Sequence, residues 1–252
     1  MRIARKYMTI EIAITIVGAL IGVVSLASVI ISIWLTVKYY RFNRRENSMG
    51  VTGIEVARKI LDDNGLEEIK VKRSGSLLFG NSYSHYFKAV RLRELIRHKK
   101  SITSVGIGAQ KAALAILDKE GDPDMKKRIR LVPLVTFGPF AFIPLVLVGI
   151  ALDYFVFGGS GYCTIVLGAI GLLFYAYSVV LSVLTLKTEK KAQNKAYEIL
   201  EKDYQITKEE LSALKEVFRL YNIQYVNDII LSSLELIYTV LKIVYAVSDK
   251  KN

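Results

Sequence analysis

Residues 12 to 37 read IAITIVGALIGVVSLASVIISIWLTV, a run without a single Asp, Glu, Lys or Arg. About 20 consecutive apolar residues are needed for a helix to cross the hydrocarbon of a bilayer, and this run exceeds that. Residues 131 to 152 and 162 to 186 are two further blocks of the same kind. Hydrophobic residues make up 52% of the 252-residue chain, and they are gathered in these blocks rather than alternating. The mean hydropathy is +0.33. This composition excludes an ordinary soluble globule and predicts a mainly α-helical membrane protein.

The first block follows Met1-Arg2-Ile3-Ala4-Arg5-Lys6, a basic start shared with secretory signals. It is too long for a signal and runs into a basic flank without a small-residue cleavage site, so residues 1–37 are expected to be an uncleaved anchor. Cys163 is the single cysteine and lies in an apolar block, which excludes an intramolecular disulfide and zinc sites built from several cysteines.

Between Lys38 and Arg130 stand 21 Lys or Arg against 11 Asp or Glu, a net of +10 out of the +12 for the whole chain. A basic block beside a membrane span is expected to stay in the cytoplasm and to meet anionic lipid headgroups. Nucleic acid is not an expected partner, because the basic residues are not interleaved with aromatics in a recognisable pattern. Residues 131–186 read as a membrane hairpin turning at Asp153 to Gly161 (DYFVFGGSG), whose one charge is acidic. Both flanks of the hairpin are basic, which predicts that this turn lies outside.

A last candidate span, within 223–252, carries Asp228, Glu235 and Lys242 at intervals of seven, on one helical face with Gln224 and Ser232. Charge in a span is costly and normally faces protein or a watery cavity. The alternative is an amphipathic helix lying on the membrane. If the segment spans, the chain has about four crossings.

Within 38–130, Thr52-Gly53-Ile54-Glu55 is a capping box, and the apolar stripe Ile54, Ala57, Ile60, Leu61 ends at Asn64-Gly65. Strands are predicted at Ile69 to Arg73 and about Tyr83 to Leu92. Residues 101–118, SITSVGIGAQKAALAILD, are apolar or small nearly all round, so this helix must be buried. Residues 187–222 read as cytoplasmic helices: a charged continuation of the span through 202, then Thr207 to Tyr221 with a second capping box, Thr207 to Glu210.

The run from Gly50 to Leu66 (GVTGIEVARKILDDNGL) resembles the G-x-T-G-x-E-V-A-R-x-I-L-D-x-N-G-L of the YugP-like neutral zinc metallopeptidases of bacterial membranes almost position for position. Val90-Arg91-Leu92, Leu131-Val132-Pro133, and Tyr225-Val226 with Leu234-Glu235-Leu236 are similar to further segments of that family. The likeness covers nearly all the chain and blurs only between Gly75 and Lys88. It implies a small zincin-like α+β domain between the first and second spans. In that family the buried helix carries H-E-x-x-H, two histidines for zinc and a glutamate to activate a metal-bound water. The register places the motif on Gln110-Lys111-Ala112-Ala113-Leu114, where none of the three side chains survives. The family's E-F-D-A, bearing its third ligand, stands here as Glu189-Lys190-Lys191-Ala192.

His85 and His98 are the only histidines and cannot form an i, i+4 pair; both are expected to be exposed or structurally bonded. Neither a catalytic set nor a metal or other cofactor is expected, and Lys111 is expected to pair with Glu189 in place of the metal. The leading expectation is a catalytically inactive homologue, a scaffold or regulatory subunit of a multi-pass cell-membrane complex, with a protein partner or a second copy in the membrane. The alternatives are a hydrolase with a non-standard site and a small transport or lipid-handling component.

Overall fold

A computed structural model describes residues 2–75, 80–135, 138–204 and 206–249. In chain order the elements are α1 (Arg2–Asn43), α2 (Gly53–Asp63), β1 (Lys70–Arg73), β2 (Ser82–Ser84), β3 (Ala89–Leu92), α3 (Glu94–Arg97), α4 (Ile102–Lys119), α5 (Pro123–Val135), α6 (Gly138–Phe155), α7 (Tyr162–Lys202) and α8 (Lys208–Asp249). The chain divides into two compact units. One holds Met1–Ile30, Leu131–Val183 and Tyr225–Asn252; the other holds Ile31–Arg130 and Leu184–Gln224.

The first unit is the apolar one. Among the described residues three helices are long and apolar enough to cross a membrane, Thr9–Asn43, Tyr162–Lys202 and Lys208–Ala246, while a fourth apolar helix, Phe142–Phe155, is shorter. The sequence suggested about four crossings, the second of them within residues 131 to 152. Residues 131 to 152 fall on the end of α5 and on α6. Pro144 lies inside α6, where it removes one backbone donor from the helix. Asp153, 4% exposed, ties the α6 end to the α7 start by accepting from the Cys163 and Thr164 amides at 2.9 and 2.8 Å. The Thr164 and Ser160 hydroxyls donate to it as well.

On the polar face of α8, the Glu235 carboxylate accepts from the Tyr175 hydroxyl of α7 at 2.8 Å, and the Lys242 ammonium lies 5.2 Å from the Tyr238 ring centre. Tyr245 donates to Glu11 of α1 at 2.6 Å. The expected separation between a helix ending at Tyr221 and a span starting at Ile223 is absent, since α8 runs unbroken through both.

The second unit is built around α4, every residue of which from Ile102 to Leu117 is buried. Its sheet has the order β1-β3-β2, with β1 parallel and β2 antiparallel to β3. The stretch expected as one strand from Tyr83 to Leu92 is a hairpin, turning at His85–Lys88, where Lys88 takes a positive φ of 40°. The capping box at Thr52 and Glu55 forms as its spacing predicts. So does that at Thr207 and Glu210, and the Glu210 carboxylate also accepts from Ser48.

Helices α2 and α4 meet backbone to backbone. A Cβ on Gly108 would stand 2.4 Å from the Gly53 carbonyl oxygen, and one on Gly53 would stand 2.4 Å from that of Ile96. Around them pack Ala192, Ala196 and Leu200 of α7, and Leu211, Leu214, Val217 and Phe218 of α8.

Candidate functional site

Ser101 sets the start of α4, accepting from the Ser104 amide at 3.1 Å, and the glycine contact with α2 sets the rotation of the helix. Gln110, Lys111 and Leu114 are carried into the interior at 6%, 8% and 0% exposure. Helix α7 has an apolar part, residues 162 to 186, and a charged part beyond it that belongs to the second unit; Glu189 stands in the charged part.

The Glu189 carboxylate is where these elements converge. Its Oε2 accepts from Lys111 Nζ at 2.7 Å and from Gln110 Nε2 at 2.9 Å. Its Oε1 accepts from Arg128 Nη2 of α5 at 3.2 Å, and Arg128 Nη1 donates to the buried Thr188 hydroxyl at 2.7 Å. Burial opposes the charged form of Glu189, but the Lys111 and Arg128 cations beside it prevail and hold its pKa below the usual carboxylate value.

Two residues on, Lys191 occupies the position that is acidic in the E-F-D-A pattern. Its ammonium bridges Asp122 at 2.6 Å and Asp124 at 2.8 Å, at the start of α5. Lys195 pairs with Glu120. Two successive turns of α7 are thus clamped to the α4–α5 junction by charge.

The histidines lie elsewhere. His85 Nδ1 and the Tyr83 hydroxyl both meet Asp118 Oδ2 at 2.6 Å, and His98 is 3.6 Å from Glu94. Asp118 is two turns along α4 from Lys111, so His85 braces the hairpin against α4 without entering the Glu189 cluster. Arg128 and Thr188 had no role in the reading of the sequence. Arg128 lies in the basic run Lys126-Lys127-Arg128, which passes for a membrane flank, and only the approach of α5 to α7 shows its partner.

A catalytic zinc needs three protein ligands with free lone pairs, two of them imidazoles in this family's pattern, and a structural zinc needs four. Here one position is an amide whose nitrogen faces Glu189, one is an ammonium and one is a leucine. The remaining carboxylate is engaged by three donors. These residues do not fit the ion. Among the described residues no group of three or more His, Cys, Asp or Glu could hold a metal.

The model of one protein family, described as "Putative neutral zinc metallopeptidase", matches residues 17–244. The chain is 25% identical over 217 residues to the "Putative membrane protease YugP" of Bacillus subtilis (strain 168), covering 84% of this chain and 92% of that protein. No solved structure matches.

Proposed function

We propose that this chain, which belongs to the neutral zinc metallopeptidase family, is a catalytically inactive member of it that serves in the membrane as a scaffold or regulatory subunit. The observation that carries the reading is the Glu189 carboxylate enclosed by Lys111, Gln110 and Arg128. Metal-assisted peptide hydrolysis needs a Lewis acid and a base beside it. Lys111 stands at the base's position as a cation whose proton is committed to Glu189. A divalent ion placed there would meet two positive charges about 3 Å from the one carboxylate, a repulsive arrangement in a poorly screened interior.

In this reading the ionic cluster keeps the fold of the former centre, and the surfaces around it do the work. The basic second unit faces the cytoplasm, in keeping with the excess of Lys and Arg beside its spans.

The test is metal content and proteolysis of the full chain purified in mild detergent. The expected result is zinc far below one ion per chain and no cleavage of casein above a detergent blank. Stoichiometric zinc together with chelator-sensitive cleavage would overturn the proposal.

A further inference from the structure

The hairpin between β2 and β3 displays two aromatic side chains that the core does not use. Tyr86 is 59% exposed and Phe87 is 69% exposed, while their neighbours Ala89 and Val90 are fully buried. The turn that displays them is strained, because Lys88 takes a left-handed φ of 40°, uncommon for a side chain of its size. The tip is also basic: Lys88 is exposed, and the Arg91 guanidinium lies 4.8 Å from the Phe87 ring centre. Across the sheet Arg91 pairs in register with Lys72 of β1, itself exposed.

Where this tip sits follows from one hydrogen bond. The Tyr86 hydroxyl donates to the Ile129 carbonyl of α5 at 3.0 Å. Ile129 and Arg130 close the basic run of α5, and the uncharged stretch begins at Leu131. At 1.5 Å per residue Ile129 is about 3 Å along the helix from that boundary. The Tyr86 hydroxyl is therefore held beside the end of the basic run of α5, two residues before the sequence turns apolar. Amphipathic aromatic rings concentrate at membrane–water interfaces, with basic side chains beside them.

We infer that the Tyr86–Phe87 tip is an interfacial membrane anchor: Phe87 enters the boundary between headgroups and acyl chains, and Lys88, Arg91 and Lys72 meet anionic phospholipid headgroups. An exposed aromatic pair flanked by cations fits such a surface in both polarity and charge. The anchor gives the second unit a contact with the bilayer besides its helices. It is independent of whether the Glu189 cluster supports catalysis.

The experiment uses the full chain in lipid nanodiscs, with Trp34→Phe removing the native tryptophan and Phe87→Trp supplying a reporter that keeps a ring for Arg91. A Glu67→Trp chain, altered on the exposed side of the α2–β1 loop, serves as control. Expected are a blue-shifted emission for the Phe87→Trp reporter, several-fold stronger quenching by lipids brominated near the headgroup than the control shows, and weak quenching by aqueous acrylamide. Adding Lys88→Glu and Arg91→Glu should reduce the bromolipid quenching in anionic nanodiscs. Emission and quenching equal to those of the control would overturn the inference. So would a blue-shifted reporter insensitive to bromolipid, which would mean that protein rather than lipid covers the tip.

Discussion

Lys111 Nζ and Glu189 Oε2 are 2.7 Å apart and separated by 78 positions in the chain, with only 10% and 14% of the two side chains exposed. Removing one member of a buried pair is worth about 3 to 5 kcal/mol, against roughly 0 to 1 for an exposed one. Glu189→Ala should lower the melting temperature more than Lys111→Ala, because it leaves Lys111 and Arg128 facing each other, whereas Lys111→Ala leaves Arg128 to neutralise the carboxylate. The double variant should lose less than the sum, as contacting residues do. Additive losses in thermal melts of the detergent-solubilised chain would refute the coupling.

Restoring the zinc motif should require a fourth change. Gln110→His, Lys111→Glu and Leu114→His replace the three absent groups but leave Arg128 on Glu189. That triple variant should take up little zinc, and adding Arg128→Gln should raise the bound metal severalfold, measured by elemental analysis after gel filtration. Equal loading of the triple and quadruple variants would show that Arg128 does not compete for the carboxylate.

The clamp of Lys191 on α5 should be sensitive to acid. Burial would raise the Asp122 carboxyl, but hydrogen bonds from Lys191 and from the Met125 and Asp124 amides reverse this and hold its pKa below the ordinary value; Lys191 lowers Asp124 likewise. A depressed folded pKa contributes stability that is present above the unfolded value, about 3.9 for Asp, and is lost as pH falls through the folded one. Lys191 is raised by hydrogen bonds to the same two carboxylates. Its contribution is therefore complete below about 10.4 and is lost only as pH climbs through the folded value above that. Melting temperature should drop on acidification below about pH 4, and Lys191→Met should flatten the drop. An unchanged acid limb in that variant would sink the assignment.

The two glycines of α4 should differ. A Cβ on Gly108 would meet the Gly53 carbonyl oxygen, which is backbone, whereas one on Gly106 would meet the end of the Leu214 side chain. Overpacking costs roughly 1–3 kcal/mol where neighbours cannot yield, and a leucine has rotamers with which to yield. Gly108→Ala should therefore destabilise more than Gly106→Ala in urea or thermal unfolding. The reverse order would mean that α2 can slide away from α4.

The basic flanks predict sidedness. In a Cys163→Ala background, Phe157→Cys in the exposed turn after α6 should react with an impermeant maleimide on intact cells, and Glu67→Cys should react only after lysis. The reverse pattern would invert the orientation.

The long apolar runs could be read from the sequence because hydrocarbon thickness imposes a length that few other structures need. Buried α4 and both capping boxes were equally legible, each being local. Nothing between Tyr221 and Ile223 stops a helix, so the boundary there reflected a change of polarity rather than of backbone. Arg128 was not recoverable, since a basic residue beside a span has a sufficient local explanation and its contact with Glu189 depends on chain 61 positions away. For the same reason Lys191 read as a lost acid, when Asp122 and Asp124 meet it across the α5–α7 contact.

The backbone contact of Gly53 with Gly108 separates architecture from chemistry. A helix seated through its glycine keeps its azimuth whatever its other positions display, so Gln110, Lys111 and Leu114 occupy replaceable positions on a fixed mount. A lineage that lost hydrolysis would not thereby lose its outline, and any neighbour that had come to recognise that outline would still find it. The same mount makes α4 a suitable place to graft a new centre, because ligands introduced at 110 and 111 would arrive already aimed at α7.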